Sequence, residues 1–136
     1  MKMAAPQATP DKAHYCIPSL TVGNHLLYAV EARLFCYDKS SGIFHNDSWR
    51  AKDGICLHTG PIRDICTNDD ESLYCTVGDD KHLIVYDKSR TEICRYVHGK
   101  KITVASCAPI TDDQKNVVVF GDKFGDVYSV DVLALG

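Results

Sequence analysis

The chain has 136 residues, 45% hydrophobic and 24% charged, which is a globular balance sufficient for one ordinary domain. Its 15 basic and 18 acidic residues leave a formal net charge of −3, excluding a protein that coats nucleic acid by bulk charge while leaving room for a local basic patch. The seven cysteines (Cys16, Cys36, Cys56, Cys66, Cys75, Cys94 and Cys107) are odd in number and form no Cys-x-x-Cys, so they make neither a disulfide framework nor the start of a zinc site; most sit in apolar segments as small hydrophobes, which implies a reducing compartment.

Met1 to Pro10 is rich in Ala, Pro and Gln and lacks the apolar core of a secretory leader. No run reaches the roughly 18 apolar residues of a membrane span. Residues 1–18 are read as a flexible tail. A first unit, 19–53, follows, with strands at Leu26–Val30 and Leu34–Tyr37 joined at Glu31-Ala32-Arg33. Ile43–Arg50 is a weaker outer strand, and residues 50–54 form a polar connection. Asn46-Asp47-Ser48 matches a glycosylation sequon, which has no use without secretion.

The second unit, 54–100, is the clearest. Strands are predicted at Ile62–Thr67, Leu73–Val77, Leu83–Tyr86 and Ile93–Val97, with a tight turn at Gly78-Asp79-Asp80-Lys81 where Gly and Asp supply the unusual backbone angles. The third unit, 101–136, has strands at Ile102–Ala105, Val117–Phe120 and Val127–Val130, with a turn at Gly121–Gly125. Val117–Phe120 is apolar without alternation, which predicts a strand covered on both faces. No segment has helical periodicity, so the fold class is all-β.

Tyr-Asp-Lys-Ser occurs at Tyr37–Ser40 and again at Tyr86–Ser89, with an echo at Val130-Asp131; the aspartates step by 49 and then 44 residues. Recurrence near 40–45 residues is the mark of four-stranded β-propeller blades. About three blades fall short of the roughly 4–8 that close a ring, so the expectation is an incomplete propeller, with a small sandwich as its competitor. Open sheet edges predict an isolated chain that is insoluble or oligomeric.

Leu57-His58-Thr59-Gly60-Pro61-Ile62 through Leu83-Ile84-Val85-Tyr86-Asp87 resembles a WD repeat, with Leu57 in place of the usual Gly and Tyr86-Asp87 in place of Trp-Asp. The resemblance implies a buried hydrogen-bond chain of His58, Thr76, Asp80 and Tyr86. Gly121-Asp122-Lys123-Phe124-Gly125-Asp126-Val127-Tyr128-Ser129 resembles the Asp-Lys-x-Gly-Asp-Val-Tyr-Ser segment of the WD-repeat, non-catalytic subunit of the tRNA (guanine-N7)-methyltransferase. Lys100-Lys101-Ile102-Thr103 is similar to the basic entry into that family's third blade. The likeness covers about the last two-thirds of the chain and implies an N-terminal part of such a protein, the main contact with the catalytic subunit lying in later blades.

Catalytic signatures are missing. No Gly-x-Gly-x-x-Gly opens a helix to hold S-adenosylmethionine, no P-loop is present, and no pair of His has zinc-ligand spacing. Asp79-Asp80 and Asp122 with Asp126 do not make a calcium loop and are read as turn chemistry. Arg95, Tyr96, His98, Lys100 and Lys101 form the densest basic cluster. It is either a solvated connection or a contact for RNA phosphates, with Tyr96 or His98 stacking on a base. Lys123, at a hairpin tip, is a cleaner candidate; Trp49 and Tyr28 are read as packing residues.

The resemblance therefore implies a non-enzymatic scaffold without cofactor or metal, partnered with a catalytic methyltransferase subunit in a heterodimer and with tRNA through the complex. It implies a nuclear or cytoplasmic location, no membrane and no small-molecule substrate. Possible RNA or partner contacts are Arg95, Lys100, Lys101 and Lys123. Two other readings stand beside it: a WD-repeat protein–protein module unrelated to RNA, and a hydrolase built on His58 and Asp80, which burial of both would eliminate.

Overall fold

The computed structural model describes residues 17–45, 49–52, 57–113 and 116–135. Most of the N-terminal tail, the Asn46-Asp47-Ser48 sequon, Cys16, Cys56 and the heart of the polar connection at 53–56 lie outside these residues.

Eleven strands form three antiparallel meanders. The first holds β1 (Ser19–Val22), β2 (His25–Val30), β3 (Arg33–Asp38) and β4 (Ile43–His45) in that order. The second holds β5 (Ile62–Thr67), β6 (Tyr74–Gly78), β7 (His82–Tyr86) and β8 (Glu92–Val97). The third holds β9 (Ile102–Cys107), β10 (Val117–Asp122) and β11 (Val127–Asp131), followed by a single 3-10 turn at Val132–Ala134. There is no α-helix among the described residues, and no described helix is long and apolar enough to cross a membrane.

The second sheet is the wedge between the other two. Along β6 and β7 successive side chains enter different cores, as the two-residue strand period requires. Tyr74, Ile84 and Tyr86 pack with Leu27, Ala29, Leu34, Cys36 and Trp49 of the first unit. Cys75, Val77, Leu83 and Val85 pack with Ile102, Ala105, Val118 and Phe120 of the third. Both strands are accordingly buried almost throughout. The contacts between sheets gather at β1, β5 and β9, the first strand of each meander. That is the arrangement of neighbouring propeller blades around an axis, and the three sheets do not close into a ring.

Several expectations need correcting. The short edge strand β1 was not predicted. The outer strand of the first sheet is Ile43–His45; Arg50 instead bridges in parallel to Thr91 beside the second sheet. β10 is not covered on both faces: Val118 and Phe120 are buried, but Val117 and Val119 are half-exposed, because only one face of the third sheet meets the second. The doubly covered strands are β6 and β7 of the middle sheet. In the Gly78–Lys81 turn the left-handed residue is Lys81 (φ 71°). Gly78 is required for space instead, since a Cβ there would overlap the Pro61 carbonyl oxygen.

The repeated Tyr-Asp-Lys-Ser has one local cause. Asp38 Oδ1 accepts from the Ser40 N–H (2.9 Å) and hydroxyl (2.7 Å), and Asp87 Oδ1 does the same for Ser89 (2.9 and 2.6 Å). Asp131 caps Leu133 N–H at 3.0 Å. Each is an aspartate turning the chain out of the third strand of its sheet.

Candidate functional site

Antiparallel meanders send alternate loops to opposite ends, and hydrogen bonds tie each end together. At one end Ile62 N–H donates to Glu31 O (2.8 Å), Asp79 N–H to Pro61 O (2.9 Å), His98 N–H to Lys81 O (2.8 Å) and Lys123 N–H to Lys101 O (2.9 Å). At the other, Ile110 N–H donates to Asp69 Oδ2 at 3.1 Å, linking the loop after β5 to the loop after β9.

Two buried histidine–aspartate pairs brace the first end. In the second sheet, His58 Nδ1 meets both Asp80 oxygens (3.1 and 3.0 Å), its Nε2 meets Thr76 Oγ1 (2.7 Å), and Oγ1 meets the Tyr86 hydroxyl (2.7 Å). One direction satisfies every group: Tyr86 O–H donates to Thr76, Thr76 O–H to Nε2, and Nδ1–H to the carboxylate. Asp80 also accepts from Thr59 N–H (3.0 Å) and His82 N–H (3.2 Å). Burial favours its neutral form, but the His58 contact and these amides hold its carboxyl below the usual range. Burial pushes the Tyr86 phenol upward.

The second pair was not recognised in the sequence. His98 Nε2 contacts Asp122 Oδ2 at 3.1 Å and its Nδ1 meets the Tyr96 hydroxyl at 3.2 Å. Asp122 Oδ1 accepts from Phe124 N–H (3.0 Å) and Asp126 N–H (3.1 Å). The contact with His98 keeps the Asp122 carboxyl low despite burial. The signal was available: His58 precedes Asp80 by 22 residues and His98 precedes Asp122 by 24. His98 is buried and packs edge-on to Phe120 and Tyr128, with Tyr96 half-buried beside it. The His98 ring is thus closed to a base and does not belong to a solvated connection.

The side chains of His58 and Asp80 are 0% and 4% exposed, which removes the hydrolase reading: no substrate reaches them. Among the described residues no group of His, Cys, Asp and Glu could hold a metal ion.

The basic candidates divide. Lys100, Lys101 and Lys123 are exposed and share the first end, joined by Lys81. Arg95 stands apart on β8. It is clamped to Glu92 by two 2.6 Å contacts and reaches His82 Nδ1 at 3.2 Å. Three acids of the first end are engaged: Asp79 binds Arg63 (2.9 and 2.7 Å), Asp80 faces His58, and Asp122 faces His98; Glu31 and Asp126 at the same end are exposed. Among the described residues no carboxylate pairs with the four lysines. The loops after β5 and β9 at the opposite end hold Asp69, Asp70, Glu71, Asp112 and Asp113, while the loops after β3 and β7 at that end hold Lys39, Lys88 and Arg90. That Lys81 shares an end with the other three lysines was invisible without the strand directions. Trp49 and Tyr28 sit in aromatic packing, Trp49 edge-on to Tyr86 at 4.8 Å and Tyr28 stacked on Phe35 at 5.3 Å.

The family model of the tRNA methyltransferase TRM82 WD40 domain matches residues 62–135. The chain belongs to this family. TRM82 is the non-catalytic WD40 subunit of the tRNA m7G methyltransferase. The match spans the second and third sheets and includes Asp80 and the whole His98–Asp122 pair, with His58 four residues before its start. A comparison with curated proteins found no match.

Proposed function

We propose that this chain supports a catalytic tRNA (guanine-N7)-methyltransferase subunit in the nucleus and widens its tRNA-binding surface, with the lysine-rich loop end contacting phosphates. The observation that carries this is the group of four exposed lysines that the β6–β7, β8–β9 and β10–β11 loops bring to one end. Asp79, Asp80 and Asp122 are taken up by Arg63 and the two histidines, so Lys81, Lys100, Lys101 and Lys123 outnumber the remaining exposed acids of that end, Glu31 and Asp126. Such contacts position an RNA without reading its sequence. The buried networks hold the hairpins that present these lysines, so rigidity in the scaffold becomes fixed spacing on its surface. A protein–protein module unrelated to RNA is favoured by one feature, the exposed Val104 and Val127 on the outer face of the third sheet.

The test is tRNA binding by the full chain assembled with its methyltransferase partner. Replacing Lys100, Lys101 and Lys123 by Glu is expected to weaken tRNA binding at least ~10-fold and to lower the salt slope by about one for each lost phosphate contact. Association with the partner should persist. Unchanged tRNA affinity would reject the reading and favour the RNA-independent module.

A further inference from the structure

Phe124 occupies the tip of the β10–β11 hairpin and is 69% exposed. It is held there by a satisfied turn. Asp122 Oδ1 accepts the Phe124 amide at 3.0 Å, Gly125 takes a left-handed conformation (φ 85°), and its N–H returns to Asp122 O at 3.0 Å. The other Asp122 oxygen is fixed by buried His98. The ring is therefore anchored outside the core by a turn whose aspartate, next to Lys123 in sequence, is fixed by a buried hydrogen bond.

Around the ring, exposed Lys100, Lys101 and Lys123 outnumber one exposed acid, Asp126. Lys100 Nζ lies 4.3 Å from its centroid, within cation–π range. Lys123 is adjacent in sequence, and its amide binds Lys101 O at 2.9 Å, which brings the two loops together. Isolated surface apolar residues are common and call for no explanation. Here an aromatic ring, a rigid tip and three lysines from two loops converge, which is the combination used for single-stranded nucleic acid: a ring for the base and cations for the backbone on either side.

We propose that Phe124 is a stacking platform for one unpaired nucleobase of an RNA loop, with Lys100, Lys101 and Lys123 on the flanking phosphates. The proposal rests on the RNA-facing reading of this loop end and goes beyond it by naming the stacking residue and the ligand class. Every base has a π face, so the platform tolerates sequence but discriminates against duplex, whose bases are already stacked.

The experiment measures binding of the full chain to a fluorescent single-stranded 12-nucleotide RNA of mixed sequence, and to the duplex of the same sequence, across a salt series. Phe124→Ala is expected to weaken single-strand binding by ~10-fold, within the range of one lost base stack, leaving duplex binding and the salt slope unchanged. Phe124→Trp should restore the affinity. Because Phe124 is exposed, thermal melting should match the parent and exclude misfolding. If Phe124→Ala binds the single strand like the parent while Lys100→Ala/Lys101→Ala/Lys123→Ala is weakened, stacking is overturned and the electrostatic reading survives. If the lysine variant also binds like the parent, the underlying reading fails and takes the platform with it. Loss of methyltransferase association in Phe124→Ala without loss of RNA affinity would reassign the ring to a protein contact and overturn the proposal.

Discussion

Thr76→Val tests whether the chain from Asp80 to Tyr86 is a brace or a coincidence of proximity. Valine matches threonine in volume, so packing against Ile65 and Ile84 in the second sheet is retained and no cavity opens. What is lost is one hydroxyl that serves two partners, His58 Nε2 and the Tyr86 hydroxyl, each at 2.7 Å. Both partners are buried and neither can turn to water: His58 is 1% exposed and Tyr86 0%. Leaving a buried polar group unpaired costs about 1–3 kcal/mol, so the pair sets an expected loss of roughly 2–4 kcal/mol and a fall in Tm on the order of 10 °C. Urea unfolding of the full chain, followed by far-ultraviolet circular dichroism, measures it. Thr76→Ser should recover most of the stability. Adding Tyr86→Phe to Thr76→Val should cost less than the sum of the two singles, because the second change removes a group the first had stranded. A Thr76→Val chain within about 0.5 kcal/mol of the parent would refute the reasoning.

Acid should uncouple the same braces. Asp80 and Asp122 have folded-state values below the ordinary aspartate value of 3.8, so the unfolded chain binds more protons on acidification. Their contribution is complete above that value and is lost as pH falls through it and beyond. Stability measured between about pH 5 and about pH 2 should decline steadily, with a shallower slope in Asp80→Asn; a flat profile would contradict the assignment. Gly78→Ala should destabilise by roughly 1–3 kcal/mol, the usual range for an overpacked site, because the new methyl meets the backbone of Pro61 and Ile62 rather than a movable side chain. A neutral Gly78→Ala in thermal melting would show that β5 and β6 can part without cost.

Much of this architecture was readable because propeller strands are short, apolar and separated by turn residues. Leu83–Tyr86 and Val117–Phe120 announce themselves as strands by composition alone. β1 did not, because Ser19–Val22 is four residues long and alternates exposed with half-buried positions, which gives too little apolar signal. The His58 network could be read through resemblance to a repeat, whereas His98–Asp122 was hidden by its neighbours. Amid Arg95, Lys100 and Lys101, a histidine looks like one more surface cation, and only its distance from Asp122 marks it as buried. Arg95 stands apart from the lysines for a local reason: Glu92, three residues earlier, holds it through both carboxylate oxygens. Which lysines share a surface depends on strand direction, and that is a property of the assembled sheets, not of local sequence.

The seam between the second and third sheets is made of side chains meeting across a gap, with no shared backbone ladder. Asp64 Oδ2 takes the Ala105 amide at 2.9 Å, and Cys66 and Cys107 bring their sulfurs to 3.5 Å. A copied unit therefore arrives with its own ladder complete and has only to match a few residues along its flank. Gene duplication can lengthen such a molecule one slice at a time, and each slice is free to drift toward a new surface while its joints are kept.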